Sequence, residues 1–122
     1  MSKDEVPPWL REQLARFEQL QQNLQAILLQ KQQVELELSE IDRALTELKK
    51  ATPEDAVYKS AGAVLIRVKK DDIVKELEEK RELSNTRILV LTKQETRVRE
   101  SVKELQTRID DAVRGRAQPQ AS

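Results

Sequence analysis

The chain has 122 residues, 36% of them charged, with 22 basic side chains against 22 acidic ones. It contains no cysteine or histidine and only two glycines, and Trp9, Phe17 and Tyr58 are its aromatics. This composition excludes disulfides and the usual zinc, thiolate and imidazole chemistry, gives no net charge to draw nucleic acid or an anionic membrane, and favours long helices with an apolar stripe over a compact globule.

No apolar run approaches the roughly 20 residues that span a bilayer, and the opening MSKDEVPP lacks the apolar core of a signal peptide. A cytoplasmic protein is expected. Residues 1–8 are expected to be a flexible N-terminal segment, although a proline such as Pro7 or Pro8 suits a first helical turn.

Over residues 9–50 a heptad register fits. One seam position holds Leu10, Phe17, Leu24, Lys31, Leu38 and Leu45; the other holds Gln13, Leu20, Ile27, Val34, Ile41 and Leu48. Only Gln13 and Lys31 are polar, which predicts a coiled-coil helix. Leu14 and Leu28 lie beside this seam and widen it. Lys49 and Lys50 suit the negative end of the helix, and Thr52-Pro53 forbids its continuation.

Residues 51–70 read as a linker and a β-hairpin. Val57 and Lys59 point one way and Tyr58 and Ser60 the other; beyond Gly62, Val64, Ile66 and Val68 share a face opposite Leu65 and Arg67. A lone two-stranded hairpin is marginal in water and leaves both edges open. Apolar residues on both faces of the second strand also need cover that the chain barely supplies. Val57, Tyr58, Val64, Leu65, Ile66 and Val68 are therefore expected to assemble with strands of other subunits, the alternative being a hairpin folded back on its own helices.

Asp71 and Asp72 suit the positive end of a second helix over residues 71–113. Its seam is Val74, Leu77, Arg81, Ser84, Ile88, Leu91, Glu95, Val98, Val102, Leu105, Ile109 and Ala112. The two helical arms are of nearly equal length, each roughly 60–65 Å, and flank a central turn, which predicts an antiparallel pair. Pairing residues whose numbers sum to 122 sets Leu48 against Val74, Leu45 against Leu77, Val34 against Ile88, Leu24 against Val98 and Phe17 against Leu105. A half-heptad shift is the competing register. Lys31, Arg81 and Glu95 read as register-setting polar seam residues, with Lys31 and Glu95 in neighbouring layers. The tail over residues 114–122 is expected to be disordered.

No catalytic constellation, glycine-rich phosphate loop or metal-ligand set is visible, so neither an enzyme nor a cofactor is expected. Function is left to the free ends of the arms. There Val6, Pro7, Pro8, Trp9, Leu10, Leu14, Phe17, Ile109 and Val113 form a stripe wider than two helices can cover, and such surface marks an interaction site. The competing reading lets Leu10, Phe17 and Ile109 close the coiled coil with Trp9 as its cap. Nucleic-acid binding through Arg114 and Arg116 is disfavoured, because no aromatic is interleaved with them.

VPP at residues 6–8, FEQLQQNLQAILLQKQQ at residues 17–33 and above all AVYKSAGAVLIRV at residues 56–68 resemble the β subunits of archaeal prefoldin. The resemblance covers nearly the whole chain. Ala61 is smaller than the residue usual after VYKS, and one hairpin instead of two is the β pattern. The resemblance implies a hetero-hexamer of two α and four β subunits whose hairpins form intersubunit β-barrels. It also implies an archaeal, ATP-independent chaperone that binds unfolded client proteins near the arm tips and delivers them to a group II chaperonin. The nine tip residues then become client contacts. A coiled-coil scaffold or adaptor with one specific folded partner is the alternative.

Overall fold

The computed structural model describes residues 6–117. Its elements follow the order α1 (Pro8–Lys50), β1 (Val57–Ala61), β2 (Val64–Val68) and α2 (Lys70–Ala117). Two long helices joined by one β-hairpin is the fold class the sequence implied.

The ends of the helices follow from local chemistry. The Pro7 carbonyl accepts from the Leu10 and Arg11 amides at 3.0 and 3.1 Å. Pro8 then occupies the first helical position, where its missing N–H leaves nothing unsatisfied. Val6–Pro8 is thus part of the helix start, while residues 1–5 lie outside the described residues. At the other end Lys49 and Lys50 occupy the last turn of α1. The Thr52 carbonyl accepts from the Asp55 amide at 3.1 Å, and the Asp55 carboxylate accepts from the Thr52 amide at 2.7 Å. Pro53 sits at the second position of this turn, which its fixed φ favours. α2 carries Asp71 and Asp72 in its first turn. It continues to Ala117, past the expected end at Val113, so residues 114–117 are helical where disorder was expected. The lone Gly115 weakens a helix by only about 1 kcal/mol, and the next proline in the sequence is Pro119. Residues 118–122 lie outside the described residues.

The described residues divide into two compact units, one of residues 31–90 and one made of the described residues before 31 and after 90. In the first, Val34, Ile41, Leu45 and Ser84 are buried, and Leu38, Leu48, Val74, Leu77 and Ile88 are half-buried between antiparallel helix segments. Leu45 lines one cleft with Val74 and Arg81, about a helical turn to either side of the Leu77 it was expected to meet, and with the adjacent Glu78. Ion pairs Arg81–Asp42 at 3.3 Å and Arg87–Glu37 at 3.8 Å flank the same layers. Arg81 thus combines a seam position with a salt bridge, as a residue that helps to set register would.

In the second unit Leu10, Leu24, Leu91 and Leu105 are buried, with Phe17, Leu20, Ile27, Val98, Val102 and Ile109 half-buried. Ile27 shares a cleft with Gln94 and Val98, which brackets its expected partner. Every seam position named from the sequence is buried or half-buried in its unit. Four helical threonines donate their hydroxyls to the carbonyl four residues back, which satisfies them without a break in either helix.

Candidate interaction surfaces: the hairpin and the terminal ends

The hairpin pairs Val57 with Val68, Tyr58 with Arg67, Lys59 with Ile66, Ser60 with Leu65 and Ala61 with Val64. Gly62 and Ala63 make a two-residue loop. Gly62 has φ 61°, and no other described residue has positive φ. Positive φ at the first loop residue alone is the type II′ turn, whose twist matches that of the flanking strands. The glycine in the sequence therefore fixes both the turn and the register.

That register sorts the side chains. Val57, Lys59, Ala61, Val64, Ile66 and Val68 share one face; Tyr58, Ser60, Leu65 and Arg67 share the other. The first face leans on α2, where Lys59 Nζ meets Glu76 Oε1 at 2.7 Å. Along β1 the residues of this face are half-buried and those of the other exposed. Val68 at the base is half-buried, but Val64 and Ile66 stay exposed, and Leu65 on the outer face is 70% exposed. Because Ala61 and Val64 close a two-residue loop, ladder bonds fall on alternate pairs. The backbone N–H and C=O groups of Tyr58, Ser60, Leu65 and Arg67 consequently point outward along the two free edges.

The hairpin base is tied down by charge. Lys70 Nζ donates to the Ala51 carbonyl at 2.6 Å, joining the start of α2 to the end of α1. Glu76 is also approached by Lys80 at 3.9 Å. Its carboxyl lies below the ordinary carboxylate range, chiefly through the hydrogen bond from Lys59, against a smaller opposing effect of desolvation.

At the terminal end the nine tip residues divide. Leu10 is 4% exposed and belongs to the seam, and Phe17 and Ile109 are half-buried there. Trp9 is 50% exposed, and Leu14, Val113 and Pro8 are also open, while Val6 and Pro7 are half-buried. So Leu10, Phe17 and Ile109 close the helix pair, whereas Trp9 does not act as a buried cap.

Reading the heptads missed a further set of exposed apolar side chains. Leu29 and Leu36 lie one heptad apart on α1, and Leu83, Leu89 and Val90 stand on α2, all outside the seam. A reading organised on seam positions assigns such residues to the solvated face by default. The signal available was the heptad spacing of Leu29 with Leu36 and of Leu83 with Val90.

Among the described residues no group of three or more acidic, cysteine or histidine side chains is placed to hold a metal. No described helix is long and apolar enough to cross a membrane.

Residues 11–116 match the family of prefoldin subunits. The chain belongs to that family. It is 42% identical over 107 residues to the prefoldin subunit beta of Archaeoglobus fulgidus, spanning 88% of this chain and 92% of that one. With the prefoldin subunit beta of Pyrobaculum neutrophilum it shares 40% identity over 120 residues, 96% of this chain and 95% of the relative. The crystal structure of the prefoldin beta subunit from Thermococcus strain KS-1 superposes with a TM-score of 0.81 at 36% identity, covering 94% of this chain and 98% of that one. The beta2 subunit from the same strain gives a TM-score of 0.67 at 25% identity over 75% of this chain and 97% of that one. Prefoldin subunits are non-enzymatic chaperone components that oligomerise with one another, so the chain has a chaperone-type function and no catalytic activity is assigned to it. The resemblance seen in the VYKS-x-G hairpin and the matched arms extends to the whole described fold.

Proposed function

We propose that the chain is an ATP-independent holding subunit. Four copies join two α-type prefoldin subunits in the cytoplasm, their terminal ends hold unfolded polypeptides, and the complex passes these clients to a group II chaperonin. The observation that carries this reading is the apolar surface left open toward the ends of the chain, Trp9 half exposed and Pro8, Leu14 and Val113 open as well, in a helix pair whose own seam Leu10 and Leu105 close without them. Apolar surface left open at the end of a helix pair suits partners that are themselves apolar and variable. Several such ends on one body give avidity to individually weak contacts. Assembly falls to Val57, Tyr58, Val64, Leu65, Ile66 and Val68, supported by the exposure of the hairpin and its two open edges.

The test is aggregation of a chemically unfolded, unrelated protein on dilution without ATP, in the presence of the chain co-expressed with an α-type subunit. A parallel complex carries Trp9→Ser, Leu14→Ser and Val113→Ser. Leu10 and Phe17 are left alone, because changing them would open the seam. Suppression by the first complex, and its loss in the second at unchanged assembly, is the expected result. An intact complex that suppresses nothing refutes the holding reading and leaves an adaptor with one folded partner.

A further inference from the structure

We propose that Lys59 and Glu76 form a positioning clamp, which fixes the face on which the hairpin leans against α2 and hence the direction in which its two free edges meet neighbouring subunits. The inference rests on the hairpin-mediated assembly proposed above and assigns a role to a pair that lies outside the six assembly residues.

Four observations carry it. Lys59 is the one charged residue on a face otherwise made of Val57, Ala61, Val64, Ile66 and Val68. A lysine there would favour turning that face to water, and Glu76 reverses the preference by meeting it at 2.7 Å. Secondly, the pair joins the hairpin to a helix, whereas Arg81–Asp42 and Arg87–Glu37 join helix to helix and Glu47–Lys50, Glu76–Lys80 and Glu95–Arg99 each lie within one turn of a helix. Thirdly, Lys59 is the central residue of β1, so it acts away from the base, where Val57 and Val68 are already half-covered. The chain enters and leaves the hairpin at that base; what the base leaves free is a swing of the hairpin about it, and the clamp opposes that swing. Finally, the ammonium of Lys70 on the Ala51 carbonyl fixes the start of α2, so Glu76 is presented from a held support.

Both side chains are more than a third exposed, 41% for Lys59 and 37% for Glu76. Such a pair adds little to the stability of the chain by itself. Its larger effect is expected where orientation matters, because every copy that must first be oriented weakens the assembly again.

The test uses the full chain co-expressed with an α-type subunit and follows dissociation on dilution by sedimentation velocity. The variants are Lys59→Met, which keeps the stem and removes the charge, Glu76→Gln, and the exchanged pair Lys59→Glu with Glu76→Lys. Each single change is expected to weaken assembly by about two- to threefold per subunit, compounding over the copies. Helix content and melting of the isolated chain should stay as in the unmodified protein. The exchanged pair should recover most of the loss, and about 1 M NaCl should shrink the differences by screening. Singles that dissociate like the unmodified complex, or an exchanged pair no better than the singles, overturn the clamp. So does a fall in helix melting that accounts for the assembly loss, because the pair would then be structural only. If the unmodified chain forms no complex, the assembly reading itself falls, and the two failures are distinct.

Discussion

Leu65→Thr tests whether the hairpin is an assembly element. Leu65 lies on the outer face of β2, opposite Ser60, and is 70% exposed. Complete burial of a leucine stabilises by about 1.5–3 kcal/mol. With seven-tenths of the side chain still open, assembly has about 1–2 kcal/mol left to gain from it in each copy. Threonine, being β-branched, suits a strand and removes most of that gain. The isolated chain should therefore keep its helix content and lose less than about 1 kcal/mol of stability, since little of Leu65 is covered within it. Assembly with an α-type subunit should weaken by about 5- to 30-fold for each hairpin that loses the contact. Circular dichroism reads the first quantity and light scattering on a dilution series the second. A Leu65→Thr chain that assembles at the unmodified concentration would refute the reasoning, because an exposed leucine would then have found no cover in the complex.

The heptad seams were fully legible in sequence because a helix repeats its burial every three or four residues, and Leu10, Leu24, Val34, Ile41, Leu45, Leu91 and Leu105 all proved buried. Gly62 and the alternation on either side of it gave the hairpin and its two faces. The partition of the tip was legible in part: the seam positions of Leu10, Phe17 and Ile109 set them apart from Leu14 beside the seam, whereas the exposure of Trp9 was left open between a cap and a free surface. Leu10 and Leu14 are alike in type and one turn apart, and it is their heptad positions, at the seam and beside it, that separate the buried residue from the exposed one. The Lys59–Glu76 pair was hidden for another reason. It spans two elements, and its existence depends on which hairpin face leans on α2, a choice that strand alternation leaves open. Periodicity reveals what each element buries against its neighbour; contacts that fix the pose of one element on another need the coordinates.

Three further perturbations separate local from assembled behaviour. Gly62→Ala should weaken the hairpin by about 1–2 kcal/mol through its φ of 61° alone, since an added Cβ meets nothing within 4 Å; slower or weaker assembly at unchanged helix melting would register it, and wild-type assembly would count against the type II′ assignment. The Glu76 carboxyl is held below its ordinary value of 4.5. Its contribution to stability is thus fully present above that value and is lost as pH falls through the lower folded-state value. A carboxyl NMR titration should give Glu76 an apparent pKa that returns toward the ordinary value in Lys59→Met, and an unchanged pKa would refute Lys59 as the main cause. Leu10→Ala and Leu14→Ser, one turn apart, should have opposite consequences. The first empties a buried seam position and should destabilise the terminal unit by about 2–5 kcal/mol, seen as faster amide hydrogen exchange over the start of α1. The second removes a side chain that is 45% exposed, so at most about half of a leucine's burial is lost, roughly 1 kcal/mol, while binding of unfolded protein should fall. Were Leu14→Ser to unfold the terminal unit as Leu10→Ala does, the exposed stripe would be part of the seam, and the surface available to a client would shrink to Pro8, Trp9 and Val113.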